Sequence, residues 1–509
     1  MTRLLVQGAR VHNGESWLGP RDVLVADGRI AAISPTELTV PDAVTVPGAG
    51  LVLSPGFIDV HNMTRRPAQL LSADGINLLA QGVTTTVIGN CGMSGEYESP
   101  DEVVSRVEEL RGQPLALNVG ALMGHGSVRQ LVNDHGPLSP GELAELTGIL
   151  ERGLAAGALG VSLGLMYAPG WHADADELAT IARTLGEHDR VLAVHLRSEG
   201  DGVADAVDEI VSLAQYCTVV LLHLKACGPR NWPDYERISA AVHAGAERTG
   251  RLYATYYPYT HTNTALRALI PQAAGTSLSP GFEAVVEREG LQTLTAHGWS
   301  DVLLIGNVSP ELIGTSLADR AQRDHSSPVR ALLDTLAEFP DARAIFRGVA
   351  VEADVRRTAT WPFALPASDG YVFSTGEHTA EHPRNYGAIV GSLLWAAQAG
   401  RDLGEVIRSL TSLPADVYRI PDRGRLIEGG IADLTVFDPS ALAAPADMHD
   451  PSRLAEGIVA TVVSGQLAYE YGAVTGHRGG SGLVASLPAT RSTSREDSRL
   501  PGPAIQEAP

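Results

Sequence analysis

From about residue 54 onward the chain repeats one unit, an apolar run of four to eight residues followed by a stretch with helical spacing. The candidate strands are Gly56 to Val60, Thr84 to Ile88, Leu115 to Val119, Gly160 to Leu163, Val191 to Val194, Val219 to Leu222, Leu252 to Tyr256 and Phe363 to Ala367. Between them the spacing turns helical: Val203, Val207, Ile210 and Ala214 keep the i, i+4, i+7, i+11 pattern of an amphipathic helix. Alternation of this kind builds a parallel sheet, and eight such units predict an α/β fold, a (β/α)8 TIM barrel.

The long gap before the eighth strand is expected to hold an inserted lid subdomain at about 262–345, with its own strand at Val302 to Ile305. The flanks of the barrel read differently. Leu4 to Val6, Val23 to Ala26 and Ile30 to Ile33 are short β-rich runs, the last two joined by Asp27-Gly28 as a hairpin. Ala432 to Phe437 and Ile458 to Val463, with a Ser464-Gly465 turn, return to the same pattern. Residues 1–53 and 418–480 are therefore expected to form one discontinuous β-sandwich domain, and 54–417 the catalytic barrel. Residues 481–509, rich in Ser, Pro, Arg and Glu, predict a disordered tail.

A chain of 509 residues, 44% hydrophobic, can bury a large core. Its net charge of −21 argues against nucleic acid and against an anionic membrane surface. Gly8, Arg10, His12 and Asn13 interrupt any leader-like apolar run, and a cytoplasmic location is the expectation. Three cysteines, Cys91, Cys217 and Cys227, are too few for a disulfide framework in so long a chain. Of 38 basic residues only Lys225 is a lysine, two positions after His223. Ammonium and guanidinium are not interchangeable where a compact donor is needed.

In a barrel of this kind the C-terminal strand ends meet at one rim. The side chains there are His61, Cys91, His195, His223 and Asp369. Taken singly, each histidine is better read as a satisfied core residue, Cys91 as a small buried hydrophobe and Ser368-Asp-Gly370 as a turn. Together they are harder to dismiss. His195-Leu-Arg-Ser-Glu-Gly200 and His223-Leu-Lys-Ala-Cys-Gly228 repeat one pattern on consecutive strands. One thiolate and two imidazoles, Cys91, His195 and His223, make a donor set zinc prefers and leave a fourth position for water. Asp369 is then the candidate to carry the proton.

With these residues in place the chain resembles the N-acyl-D-amino-acid deacylases (D-aminoacylases) of the amidohydrolase superfamily across most of residues 3–480. Superfamily-wide is Pro55-Gly-Phe-Ile-Asp59. Closer to this group are Gly89-Asn-Cys-Gly92 and His223-Leu-Lys225, beside Gly124-His-Gly126, Gly157-Ala-Leu-Gly-Val-Ser162, Tyr257-Pro-Tyr-Thr260 and His382-Pro-Arg384. The resemblance implies one tightly bound Zn2+ on Cys91, His195 and His223, Asp369 as general acid/base, and Lys225, Tyr257 and Arg384 on the substrate carboxylate. The fourth strand, Gly160-Val-Ser-Leu-Gly164, carries no lysine, which excludes a metal-bridging carboxylated lysine of the hydantoinase kind.

The resemblance breaks at the first strand, where His-x-His-Asp-Asp is replaced by His61-Asn-Met-Thr-Arg65. Met63 stands where a second imidazole is expected, so His61 is left as a vestigial or weak second metal site. Tyr167, Asn263 and Met63 are expected to border the substrate, in an altered rim that also includes His261, Thr262 and Tyr371 to Glu381. The function this predicts is zinc-dependent removal of an N-acyl group from an amino acid, D or modified. Two alternatives stand beside it: a tailoring amidase or cyclase acting on a peptide-like metabolite, and a catalytically dead binding protein. The expected partner is a small-molecule amide; neither nucleic acid nor membrane is expected, and the sequence leaves the oligomeric state open.

Overall fold

The structure, a computed structural model, describes residues 3–65, 67–270, 282–286, 298–377 and 382–485. The first five strands are β1 (Arg3–His12), β2 (Trp17–Ala26), β3 (Arg29–Ser34), β4 (Ala43–Pro47) and β5 (Val52–Pro55). The Asp27-Gly28 corner joining β2 to β3 has φ of 54° and 79°, the left-handed pair that a tight hairpin needs.

Seven barrel strands come next: β6 (Phe57–Asp59), β7 (Val83–Ile88), β8 (Asn118–Gly124), β9 (Gly160–Gly164), β10 (Val191–His195), β11 (Thr218–Leu221) and β12 (Leu252–Tyr256). Then β13 (Thr262–Ala265), β14 (Val302–Gly306) and β15 (Arg343–Phe346) form a separate antiparallel sheet in the insertion. The eighth barrel strand is β16 (Ala364–Pro366). The last strands among the described residues are β17 (Leu434–Phe437), β18 (Ile458–Val463), β19 (Gln466–Glu470) and β20 (Ala473–Val474).

Parallel pairing runs β6 through β12 to β16 in chain order, and an Asn62↔Gly370 bridge joins the two ends. The Met63 N–H donates to the Gly370 carbonyl at 2.6 Å, so the first strand and the Asp369 loop close the barrel against each other. Helices cover the outside. The one spanning Val203–Leu213 buries Val203, Val207 and Ile210 together with Val211 against the sheet. The other sheet takes β17 between β5 and β18, so residues near both ends of the sequence share one layer. No helix among the described residues is long and apolar enough to cross a membrane.

Two expectations differ from the structure. The third barrel strand is Asn118–Gly124, not Leu115–Val119: Leu115 instead exchanges backbone hydrogen bonds with Gly480. Gly120 and Gly124 made the true strand read as a loop, yet a Cβ at Gly120 would sit 2.3 Å from Leu159 Cδ1, so the close packing requires glycine there. The second difference lies at the C-terminus. Residues 481–485 run along the barrel, with the Leu483 N–H donating to the Val119 carbonyl and Leu483 and Ala485 buried in its core. Residues 486–509 lie outside the described residues. Chains ending at residue 480 are therefore expected to melt below chains ending at 485, losing about 2 kcal/mol from Leu483 alone. Thermal unfolding of the two truncations checks this.

Candidate metal centre

Cys91, His223 and Asp369 have backbone φ of 55°, 37° and 47°. Left-handed backbone at a non-glycine residue costs on the order of 1–3 kcal/mol, and such strain gathers at functional sites. Here each turn swings a side chain off its strand end toward the barrel axis. His61 and His195 approach the Cys91 sulfur without it, two residues past β6 and at the last residue of β10.

The result is a buried cluster around one sulfur. Cys91 Sγ lies 3.4 Å from His61 Nε2, 3.6 Å from His195 Nδ1 and 3.9 Å from His223 Nε2. Around a tetrahedral ion with bonds of about 2.3 Å to sulfur and 2.0–2.1 Å to nitrogen, the two donor types stand about 3.5 Å apart. The sulfur-to-nitrogen separations match that. The thiol has no hydrogen-bond partner besides these imidazoles among the described residues. Among the described residues two groups of three have all their ligand atoms within 4.8 Å of one another: His61, Cys91 and His223, and His195, Glu199 and His223; the expected trio of Cys91, His195 and His223 is divided between them, with His61 in place of His195 in the group that holds the sulfur.

Electrostatics point the same way. Burial above all pulls His195 and His223 down to about 4, with Lys225 adding to it, and burial holds His61 well below its ordinary value. These shifts favour the neutral imidazole, the form that ligates a metal. Burial, aided by Asp369 and Glu199, pushes the Cys91 thiol well up. A thiolate here needs a cation beside it, which a bound metal supplies.

Asp369 closes the cluster from the eighth strand. Its Oδ1 is 3.3 Å from His61 Nε2, and its Oδ2 forms an ion pair with Arg384 Nη1 at 2.7 Å. Arg384 opens the buried helix Arg384–Gln398 and stands over the Tyr257 ring at 5.0 Å. Lys225 approaches the same ring at 5.9 Å, but its ammonium donates to Glu199 at 2.7 Å and to the His223 carbonyl at 3.1 Å. Tyr257 donates through its hydroxyl to Thr262 at 3.3 Å. Tyr167 packs its ring against His195 at 4.8 Å, its hydroxyl 3.2 Å from that of Thr264. Asn263 accepts from Arg343, whose guanidinium also stacks on Tyr371 at 4.9 Å.

Met63 is half-buried and packs against the cluster that contains Cys91. Two residues on, Arg65 has no hydrogen bond or ion pair among the described residues, and it lines a cavity with Ser94, Tyr97 and Arg106. Residues 378–381 of the segment after Asp369 lie outside the described residues.

Sequence patterning alone does not reveal Glu199. This buried carboxylate sits 2.8 Å from His223 Nδ1 and pairs with Lys225. Burial pushes it up, but Lys225 and His223 outweigh that and hold it well below the usual carboxylate range. We assign the Nδ1–H tautomer to His223 because Glu199 is the nearest acceptor, which leaves Nε2 free to face Cys91. A signal was present in the strand-end repeat, where Glu199 occupies the position that Cys227 holds on the next strand. Glu199→Gln should weaken divalent-metal binding about 10- to 100-fold, the usual scale for a carboxylate behind a ligand histidine. Competition with a chromophoric chelator measures it.

A model described as the amidohydrolase family matches residues 381–469. An N-acyl-D-glutamate deacylase of Alcaligenes xylosoxydans xylosoxydans is 30% identical over 494 residues, covering 91% of this chain and 92% of its own. The crystal structure of the N-acyl-D-glutamate deacylase from Bordetella bronchiseptica, with zinc and a phosphonate mimic of the tetrahedral intermediate, has a TM-score of 0.81. It is 29% identical and covers 95% of this chain and 99% of its own. A D-aminoacylase structure has a TM-score of 0.79 at 27% identity, covering 94% and 99%. Its binuclear centre is described as activated by one metal and attenuated by the second.

Proposed function

The chain belongs to the N-acyl-D-amino-acid deacylases, or D-aminoacylases, of the amidohydrolase superfamily, and on that footing we propose that it removes the acyl group of an N-acyl amino acid using one tightly held zinc ion. The observation that carries this reading is the gathering of His61, His195 and His223 around the Cys91 sulfur, with Asp369 beside His61. Zinc bound there supplies Lewis acidity and lowers the pKa of a water to about 7.

The remaining steps belong to the protein's own groups. Asp369 accepts the proton of the attacking water and delivers it to the amine nitrogen as the amide bond breaks. Arg384 fixes that carboxylate with the 2.7 Å ion pair and, with the Tyr257 hydroxyl, offers donors to the substrate carboxylate. Lys225 acts from behind: engaged by Glu199, it lends positive charge to the same side of the pocket. Burial of every donor excludes bulk water from the site. A reduced Cys91 suits a reducing compartment, and the cytoplasm is the proposed location.

The count of one ion rests on Met63. A thioether is a poor ligand for zinc, and the half-buried cation of Arg65 stands where the family resemblance expects an acid. Metal analysis of the purified protein should return one equivalent per chain after dialysis; two retained equivalents, or none, would refute this. Asp369→Asn should keep that ion and lose about 10²-fold or more in kcat on N-acyl-D-amino acids. Near-normal turnover in that variant would overturn the mechanism.

Met63→His restores an imidazole two positions after His61. It is expected to add a second, weakly held equivalent of zinc, visible in metal titration, with no gain in turnover because both ions then compete for Asp369. Unchanged stoichiometry would place residue 63 outside the site.

A further inference from the structure

The turn that delivers Cys91 is gripped at two points by one buried hydroxyl on β9. Ser162, in the middle of β9 and fully buried, accepts the Gly92 N–H at 2.9 Å and donates to the Gly89 carbonyl at 2.5 Å. It thus ties together the residues on either side of Asn90 and Cys91. One of those partners needs an acceptor and the other a donor, and a hydroxyl is the small neutral side chain that is both.

The surroundings are built around this brace. A Cβ at Gly164 would lie 2.1 Å from the Cys91 carbonyl oxygen, and one at Gly92 2.6 Å from the Gly164 nitrogen. Strand and turn therefore meet backbone to backbone, with Ser162 the one side chain between Gly160 and Gly164 on that face. On the far side the Gly92 carbonyl accepts from Ser127 at 3.2 Å, and Ser127 Oγ accepts the Ser94 N–H at 3.1 Å. Within the turn the Met93 N–H donates to the Asn90 carbonyl at 3.1 Å and the Asn90 amide to the Val87 carbonyl at 2.9 Å; among the described residues Ser162 is the one side chain that bonds both the Gly89 carbonyl and the Gly92 N–H.

We propose that Ser162 is a positioning residue of the metal centre, fixing the left-handed Cys91 so that its sulfur faces His61, His195 and His223. This rests on the reading of Cys91 as a metal ligand. Without the hydroxyl, the Gly89 carbonyl and the Gly92 N–H lose their shared partner and the strained turn is free to relax. The sulfur then leaves the axis by a rotation of the turn, while the three imidazoles stay on their own strands.

The test is the Ser162→Ala protein substituted with Co2+, in which a thiolate ligand gives a near-ultraviolet sulfur-to-metal charge-transfer band. Wild type should show the band and Cys91→Ser should not; its absence in wild type, or its survival in Cys91→Ser, would sink the ligand reading itself. Given that band, Ser162→Ala is expected to weaken it and to lower metal affinity about 10- to 100-fold in chelator competition. Ser162→Thr, which keeps the hydroxyl, should recover both. An alanine variant with wild-type band and affinity overturns the proposal, even if its metal-free form melts lower, since a merely structural serine would shift only the melting temperature.

Discussion

The chemistry of the barrel mouth depends on backbone turned the wrong way. A parallel strand points its side chains alternately into the barrel and out of it, and none of them along the axis. Cys91, His223 and Asp369 reach the axis because the chain goes left-handed as it leaves β7, β11 and β16. That geometry is disfavoured for residues with a Cβ, so something must hold it. Hydrogen bonds on both sides of the Cys91 turn do so, as do the Thr255 hydroxyl accepting the His223 N–H at 2.7 Å and the Ser368 hydroxyl accepting the Gly370 N–H at 3.0 Å. In each case a small hydroxyl residue on a strand, or at its end, secures the turn that carries a metal-capable or proton-carrying group.

Much of this was legible in the residues because apolar runs end where function begins. His61, Cys91, His195, His223 and Asp369 stand out as the chemically capable side chains at or just past the ends of those runs, and all five come together in space. What was not legible depends on contacts between loops. Glu199 and His223 are separated by a helix and a strand, and the strand-end repeat that marks Glu199 does not show its 2.8 Å approach to His223. The resemblance puts Lys225 on the substrate carboxylate, and no local pattern shows that its ammonium also donates to Glu199 at 2.7 Å, a partner equally remote in sequence. The third strand was displaced because its glycines, needed for close packing, mimic loop chemistry, while the more apolar Leu115–Leu117 segment beside it pairs with the C-terminal stretch. Polar composition likewise hid Leu483 and Ala485, two small anchors in an otherwise solvent-loving sequence.

The departures cluster on one side. Met63 and Arg65 lie just past the first strand, and the Tyr371 loop just past the eighth, where the Asn62↔Gly370 bridge makes them neighbours. Asn263 and Arg343 reach the same loop from the inserted sheet through the stack on Tyr371. The opposite side, built from β7, β9, β10 and β11, keeps its thiol, its two imidazoles and their supports.

The sheet that joins the chain's two ends has a consequence for biogenesis. On the ribosome, β5 is made before the barrel and β17 after it, so the edge at Val52–Pro55 waits unpaired while several hundred residues emerge. At synthesis rates of about 5–20 residues per second this interval lasts tens of seconds. An apolar edge open for that long is a template for pairing with other nascent chains. Yield of this protein should therefore respond to whatever shields that strand during translation more than to conditions applied after release.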